Sequence, residues 1–190
     1  MSDANTEIAE APRTSKMSKG TRQTSAGLLL LVLLVWAANF IFVGNPVRSA
    51  LATDPRNKRY KLVAHYHYYV DPTTLVLDVR SVDDAAPIDL FRGFFQSAQA
   101  MHEAGRSFSK IIVSRSRSAV FYMDGADFEQ IGAGYGGGEN IVYLIRTLPE
   151  KLHDPDGTPA YGTWTGGIIG VSLRQMQDVT DAGRRWAQGR

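Results

Sequence analysis

Two histidines at alternate positions form the pair whose types and spacing best suit a metal ion. His65 and His67 lie in a segment with a clean two-residue alternation. Residues two apart in a strand point to the same face, a geometry that zinc and copper sites use. The side chains that could supply a third ligand are His102, His153 and Glu103. Nothing in their spacing requires them to converge, so the pair is also consistent with plain surface residues on an exposed strand.

A glycine-rich segment at 132–138 fits the letters of a dinucleotide-binding fingerprint, with glycines at 132, 134 and 137. In that fingerprint the glycines directly follow a strand and let the backbone approach a pyrophosphate at a helix N-terminus. Here the preceding residues, 124–131, predict a short helix instead of a strand. We therefore predict a flexible loop, with a mobile loop beside a binding surface as the alternative.

Arg115 and Arg117 alternate with serines between two short apolar runs. Two guanidinium groups at this spacing could grip an anionic headgroup or a phosphate. The same pattern over 114–118 is typical of a solvated hairpin turn, which is the interpretation we favour.

Carboxylates are numerous enough for acid or base chemistry. The candidates are Asp124, Asp127, Glu139, Asp154 and Asp156. At these positions such residues also cap helices and form turns. The sequence contains no nucleophile elbow, phosphate loop or HExxH motif. We therefore assign no catalytic residue and no cofactor, and enzymatic activity has no positive support.

The composition limits the classes of function. The formal net charge is only +2 and the two signs are interspersed after residue 44, so nucleic acid is not expected as a partner. The chain has no cysteine, which excludes disulfides, thiolate zinc sites and cysteine nucleophiles. With 44% hydrophobic and 21% charged residues, most of the chain is expected to fold. The arginine, alanine and glycine usage is typical of a bacterial protein.

The histidine pair lies on a predicted strand from about residue 60 to residue 70. Apolar and aromatic side chains at even positions alternate with His65, His67 and their odd-numbered neighbours. A turn at Asp71-Pro72 leads to a second apolar run at 75–79. The two strands are expected to form a hairpin.

The rest of the domain adds helices and a second hairpin. Pro87 opens and Gly105 closes a helix with a wide aromatic stripe. Short strands at 110–113 and 119–123 form the second hairpin, and later apolar residues repeat at helical spacing. The short connections within the strand pairs favour antiparallel pairing. We predict an α+β fold: one small domain with an antiparallel sheet and helices packed on one face.

An uncharged apolar run from Ala26 to Val43 precedes this domain. A helix of that length extends about 27 Å, close to the roughly 30 Å of a bilayer's hydrocarbon core, so we predict a single transmembrane helix. Four basic residues at 13–22 precede it, and Arg48 is the one basic residue in the ten that follow. This asymmetry favours an N-terminus in the cytoplasm and a domain outside the cell inner membrane. The basic cluster at 56–61 lies on the other side of the span and would favour the opposite orientation.

Asn39 is the one strongly polar side chain within the predicted span, and it is surrounded by Trp36, Phe40 and Phe42. Aromatic residues of this kind lie at the headgroup level. The asparagine is either a tolerated polar residue near the interface or a hydrogen-bonding group for a partner helix.

The predicted organisation has four parts. Residues 1–25 form a disordered cytoplasmic tail, 26–43 the transmembrane helix, 44–58 a linker and 59–190 the globular domain. Gly44-Asn45-Pro46 is expected to end the helix. A cleavable signal peptide is the rival, because Ala50-Leu51-Ala52 has the small-x-small pattern. The apolar run is longer than the usual ~7–15 residues and ends well before that site, which favours an uncleaved anchor.

Two hypotheses for the function follow from these features. The first is a membrane-anchored, non-enzymatic accessory or assembly module that docks on other proteins of a membrane complex, in part through Asn39 and the span. The second is a membrane-tethered metal- or ligand-binding enzyme with a site near His65, His67 and the 132–138 glycine loop. Metal content separates the two.

Overall fold

A computed structural model of the chain describes residues 19–165 and 168–190. By its internal contacts the described part of the chain forms two units, which divide between residues 34 and 35. In the first unit residues 19–34 are helical, and the leucines and valine at 28–34 are 58–65% exposed. Most of the predicted disordered tail, residues 1–18, lies outside the described residues, and its last part, 19–25, is helical.

The described residues form six helices and four strands. The helices are α1 (Lys19–Asn39), α2 (Asn45–Ala52), α3 (Pro87–Glu103), α4 (Gly125–Gly136), α5 (Ile141–Thr147) and α6 (Ile168–Gln188). The strands are β1 (Tyr60–His67), β2 (Asp71–Val82), β3 (Lys110–Arg115) and β4 (Ser118–Asp124). A π-helical segment, Phe40–Gly44, joins α1 to α2. The described residues also include two short 3₁₀ helices, Pro55–Arg59 and Pro149–Lys151. The α+β class is confirmed.

The strands form one sheet in the order β1-β2-β3-β4. Both predicted hairpins are present as antiparallel pairs, but the central pair, β2 and β3, is parallel. The prediction of an antiparallel sheet is therefore wrong at its centre. Helix α3 is long enough to return the chain to the starting end of β2, so that β3 runs in the same direction as β2.

One hydrophobic core lies between the helices and one face of the sheet. The sheet contributes alternate residues of each strand, including Leu75, Leu77, Ile111, Val113, Phe121 and Met123. Trp186 of α6 packs against the rings of Phe91 and Phe94 in α3, and its Nε1 donates to the Ser114 carbonyl at 2.9 Å. The fully buried indole thus ties the last helix to the central sheet.

Residues 44–58, predicted as a linker, are helical and belong to the folded unit. The chain does not end its helix at Gly44-Asn45-Pro46. Pro46 lacks the N–H that would pair with a carbonyl one turn earlier, and the helix continues through the π-helical turn, where the Asn45 N–H bonds the Phe40 carbonyl. The helical interval of four between Val43, Val47 and Leu51 was the sequence signal for this continuation.

The buried side chains of this segment explain why it packs. Val43 and Val47 are fully buried and Leu51 is 9% exposed, all within the main core. The Asn57 amide donates to the Leu51 carbonyl at 2.9 Å and accepts from the Tyr60 hydroxyl at 2.7 Å. The folded unit accordingly begins at Val35, well before the predicted start at residue 59.

The glycine-rich segment 132–138 is mostly helix, so the predicted loop is wrong. Gly132 and Gly136 lie in α4. A Cβ on Gly132 would be 2.4 Å from the Ala98 carbonyl oxygen of α3. The glycine therefore permits close packing of two helices, a role that the letters of the motif do not distinguish from phosphate binding.

Replacing Gly132 with alanine is expected to lower the free energy of unfolding by up to about 2 kcal/mol. Overpacking costs about 1–3 kcal/mol, and the better helix propensity of alanine offsets about 1 kcal/mol of it. Urea unfolding of the full chain in detergent measures the difference. Gly134→Ala is the control, because its added Cβ meets only the movable carboxylate of Glu139. Equal losses in both variants would contradict this packing role.

One helical stretch of the described residues, Gly27–Ala52, is apolar and long enough to cross a membrane by length and composition. It overlaps the predicted span at 26–43. The distal end of that span is buried in the folded unit, where Asn39 is 6% exposed and Val43 is fully buried.

Candidate functional site

The face of the sheet opposite the core forms a concave surface, here called the open face. It encloses about 450 Å³ and is lined by His65, His67, Tyr68, Tyr69, Val76, Arg80, Ile112, Ser114, Arg117, Ala119 and Tyr122. Every lining residue comes from a strand or a hairpin turn, whereas the helices contribute to the core on the other side. Val76 and Ile112 form a buried apolar floor in the central strands.

Two tight turns, one at each end of the sheet, border the open face. In the first turn Tyr68 and Tyr69 have φ values of 49° and 64°, and in the second Ser116 and Arg117 have 51° and 75°. Positive φ at both central residues is the type I′ hairpin geometry, which asparagine and glycine normally occupy. Non-glycine residues in this region cost roughly 1–2 kcal/mol each. Such strain persists only where the surroundings hold the backbone in place.

The first turn lies three residues before the predicted one at Asp71-Pro72, and its tyrosines cover the histidines. The Tyr69 ring stacks on His65 with centroids 4.5 Å apart, and the Tyr68 ring lies 3.8 Å from that of His67. Asp71 instead begins β2 and accepts bonds from Thr73. An aromatic wall therefore closes this end of the open face.

Asn39 holds this turn in place. Its Oδ1 accepts from the Tyr66 N–H at 2.9 Å, and its Nδ2 donates to the carbonyls of Tyr69 and Val35. The hairpin partners of Asn39 are thus Tyr66, which precedes the strained pair, and Tyr69, the second residue of that pair. The side chain that the sequence offered for a partner helix is thus engaged within its own chain.

A buried carboxylate organises the middle of the open face. Asp78 is fully buried, and its Oδ2 lies 2.6 Å from Arg80 Nε while its Oδ1 accepts from the Arg117 N–H at 3.1 Å. Asp78 is opposite Ser114 of β3. The Ser114 hydroxyl is buried and has no hydrogen-bond partner among the described residues. Asp78 thus anchors both arginines, one by its side chain and one by its backbone.

The arginines that line the open face are Arg80 and Arg117, and at its edge exposed Asp124 lies opposite Lys110. The Arg117 side chain is exposed at one end, and Lys110 Nζ lies 3.6 Å from the centroid of the Tyr122 ring. The negative charge of Asp78 lies beneath the surface and is paired with Arg80. The surface presents arginine, lysine and tyrosine above an apolar floor.

Arg115 and Arg117, which the sequence treats as a pair, have separate roles. Arg115 donates to the carbonyls of Val79, Arg80 and Ala187 at 2.7–3.0 Å and so joins β2 to the end of α6. Arg117 alone lines the open face. The predicted hairpin turn at 114–118 is confirmed.

His65 and His67 share the open face, as the alternation predicts. Across residues 27–165 and 170–190 no group of three or more histidine or acidic side chains is placed to hold a metal ion. His102 is on α3 and His153 pairs with the backbone of Tyr122 on β4. The glycine segment belongs to α4 on the core side of the sheet, so the structure does not bring it together with the histidines.

Three of the five candidate carboxylates have structural partners, whereas exposed Asp124 precedes α4 without a side-chain capping bond and lies opposite Lys110. Asp127 pairs with Lys151, and Asp154 pairs with Arg185 at 2.5 Å. Asp156 accepts from the backbone and hydroxyl of Thr158 in the turn. These contacts connect loops and helices of the core side.

His65 is the titratable group of the open face whose pKa is shifted. Burial lowers the pKa of His65 below 6.5, and the nearby Arg80 charge acts in the same direction. The backbone carbonyl of Tyr66, 2.8 Å from Nδ1, opposes the shift. The folded chain therefore favours the neutral imidazole beneath Tyr69.

This shift predicts a loss of stability in mild acid. Below pH 6.5 the unfolded chain binds a proton at His65 that the folded chain resists, so stability falls as pH drops through 6.5 toward the folded pKa. His65→Gln is expected to flatten the stability curve between about pH 8 and about pH 5. Urea unfolding across that interval measures it, with His102→Gln on α3 as the control. An unchanged slope in His65→Gln would contradict the assignment.

The residues that sequence reasoning missed are Asp78, Arg80 and Tyr122. The signal was present in β2, where Val76, Asp78 and Arg80 alternate with the core residues. This alternation was not recognised because Val76 is apolar, so the run 75–79 resembles a strand that is buried on both faces. No protein-family model matches the chain, and no curated protein or solved structure shows significant similarity to it.

Proposed function

We propose that the protein is a membrane-anchored accessory or assembly module whose open face docks on an acidic segment of another protein in a membrane complex. The observation that carries the proposal is a concave sheet face whose lining contains two arginines, Arg80 and Arg117, and no acidic side chain. Its one central carboxylate, Asp78, is fully buried and paired. An acidic partner meets complementary charge there.

The composition of the open face supports a protein partner. Tyrosine and arginine are enriched at the centres of protein interfaces and dominate their binding energies. Tyr68, Tyr122 and Arg117 surround the apolar floor. The strained turns fix the backbone at Tyr68 and Arg117 before binding, and Tyr122 is fixed in β4, which lowers the entropic cost of association.

Three features support membrane anchoring with the chain uncleaved. The apolar helix is long enough to cross a bilayer. Val43, Val47 and Leu51 are core residues, so cleavage after Ala52 would remove three buried side chains from the fold. The basic residues before the apolar run favour a cytoplasmic N-terminus and an extracytoplasmic domain at the inner membrane.

Co-purification of the intact chain from mild detergent tests the docking proposal. The double variant Lys110→Glu/Arg117→Glu reverses the exposed charge of Arg117 in the lining and that of Lys110 over the Tyr122 ring. We expect the amount of partner that co-purifies with this variant to fall at least about tenfold, in line with the cost of like-charge contacts. Arg59→Glu/Arg184→Glu makes the same charge change at exposed positions outside this lining and should retain the partner. Equal recovery from both variants would overturn the proposal.

The second candidate is a metal- or ligand-binding enzyme centred on the open face. The observation in its favour is that both imidazoles share this surface with the unpartnered Ser114 hydroxyl. Metal analysis of the purified chain, compared with His65→Ala/His67→Ala, distinguishes the candidates. Stoichiometric metal that the double variant loses would favour this candidate over docking.

A further inference from the structure

A second concavity, here called the cleft, lies between the start of the folded unit and the outer edge of β1. It has a volume of about 430 Å³, within the range of small-molecule sites. Its lining includes Trp36, Phe40, Val47, Leu62 and Val63. Apolar side chains therefore make up much of the lining of the cleft.

Two cations stand at the rim of the cleft. Arg48 and Lys61 are both exposed, and neither has an ion pair among the described residues. The Arg48 guanidinium lies 5.6 Å from the centroid of the Phe40 ring. The nearest acidic group in the adjoining groove, Asp54, is held by Arg56 at 2.7 Å and Arg92 at 3.3 Å. The cationic charge of the rim is therefore available to an anion.

The position of the cleft in the chain adds a third observation. Trp36 and Phe40 directly follow the exposed apolar helix 27–34 in sequence, and their rings stack with centroids 5.8 Å apart. Aromatic and basic residues at the end of an apolar helix occupy the headgroup level of a membrane. In an anchored chain, the cleft would open where phospholipid headgroups and acyl chains meet.

We infer that the cleft binds one anionic phospholipid. An acyl chain lies against the apolar walls, and the phosphodiester and anionic headgroup contact Arg48 and Lys61. The inference rests on the proposed membrane anchoring. The cleft shares His65 and Tyr69 with the open face, but Arg48 and Lys61 line the cleft alone, so the two proposals can be tested separately. Its ligand class follows from the combination of apolar walls with unpaired cations.

Native mass spectrometry of the full chain released from lipid nanodiscs tests the inference. We expect one retained phosphatidylglycerol from mixed phosphatidylglycerol and phosphatidylcholine discs. Each Lys or Arg near an anionic lipid contributes about fivefold to binding, so Arg48→Gln/Lys61→Gln should lower retention roughly 25-fold. The charge-matched control is Arg59→Gln/Arg184→Gln, at exposed positions outside the cleft, which should retain it.

Two further experiments test whether the ligand in the cleft must carry an acyl chain. Trp36 is 62% exposed, so Trp36→Ala removes an acyl-chain wall with little cost in packing, and we expect weaker retention of the lipid. Inorganic phosphate at millimolar concentration should not displace the lipid, because it lacks an acyl chain. Displacement by phosphate, or equal retention of phosphatidylcholine and phosphatidylglycerol, would overturn the inference.

The test separates this inference from the docking proposal. Lys110→Glu/Arg117→Glu should lose the protein partner and keep phosphatidylglycerol, because its changes lie on the open face. If Arg48→Gln/Lys61→Gln loses the lipid but still binds the protein partner, the result would support lipid binding in the cleft separately from docking. Equal lipid retention in the Gln double variant and its control would refute it and leave docking standing.

Discussion

Replacing Asn39 with alanine is expected to lower the free energy of unfolding of residues 35–190 by about 2–3 kcal/mol. The change leaves the Tyr66 N–H and the Tyr69 carbonyl without their partner, and each such group costs about 1–3 kcal/mol when it is shielded from water. It also releases a turn with two residues at positive φ. Urea unfolding in detergent measures the loss, and hydrogen exchange at Tyr66 should accelerate.

Asn45→Ala is the matched control for this prediction. Asn45 is exposed and follows Asn39 by six positions in the same run of helical backbone. Its replacement should change the free energy of unfolding by no more than about 0.5 kcal/mol, the usual range for surface substitutions. Similar losses in the two variants would show that Asn39 does not hold the turn.

Replacing Asp78 with asparagine is the second large effect that we expect. The variant keeps the shape of the side chain and removes the charge that pairs with Arg80. Breaking a fully buried ion pair costs about 3–5 kcal/mol. Because the Arg80 side chain is 24% exposed and can turn toward water, we expect a loss of about 2–3 kcal/mol.

The control for Asp78→Asn is Asp83→Asn, an exposed aspartate just beyond β2. It makes the same change of charge and should leave stability within about 0.5 kcal/mol of the wild type. Asp78→Asn should also weaken partner binding, since Arg80 loses its anchor on the open face. If Asp78→Asn is as stable as the wild type, the claim that the Asp78–Arg80 pair stabilises the open face is contradicted.

Local patterns in the sequence predicted most of the individual elements. The alternation around His65 predicted β1, and the aromatic stripe after Pro87 predicted α3, because both depend on residues close in the chain. Both hairpins were predicted for the same reason, although the turn after β1 falls at Tyr68-Tyr69. Two tyrosines are not residues that a type I′ turn favours, so turn chemistry pointed to Asp71-Pro72 instead.

The features that were missed depend on contacts between distant residues. The parallel pairing of β2 and β3 is set by the packing of α3 across the sheet, which no short window of sequence contains. Gly44 and Pro46 ordinarily end a helix, and only the burial of Val47 and Leu51 keeps this one continuous. Gly132 lies where α4 passes close to the Ala98 carbonyl of α3, a contact between residues 34 positions apart in the chain.

The candidate site was predicted only in part. The shared face of His65 and His67 follows from strand geometry and is present. The remainder of the open face comes from three other strands, so its composition depends on their order in the sheet. The role of Asn39 could not be predicted for the same reason, because its hydrogen-bond partners are 27 and 30 residues away in the chain.

Site-specific photocrosslinking in cells tests docking at the open face most directly. A benzophenone side chain at Tyr122, which lines the open face, is compared with one at Tyr143, which is 56% exposed on α5. We predict a crosslink from position 122 to an acidic segment of one membrane-complex protein, lost in Lys110→Glu/Arg117→Glu, and none from position 143. No crosslink at 122, or the same crosslinks from both positions, would contradict the account.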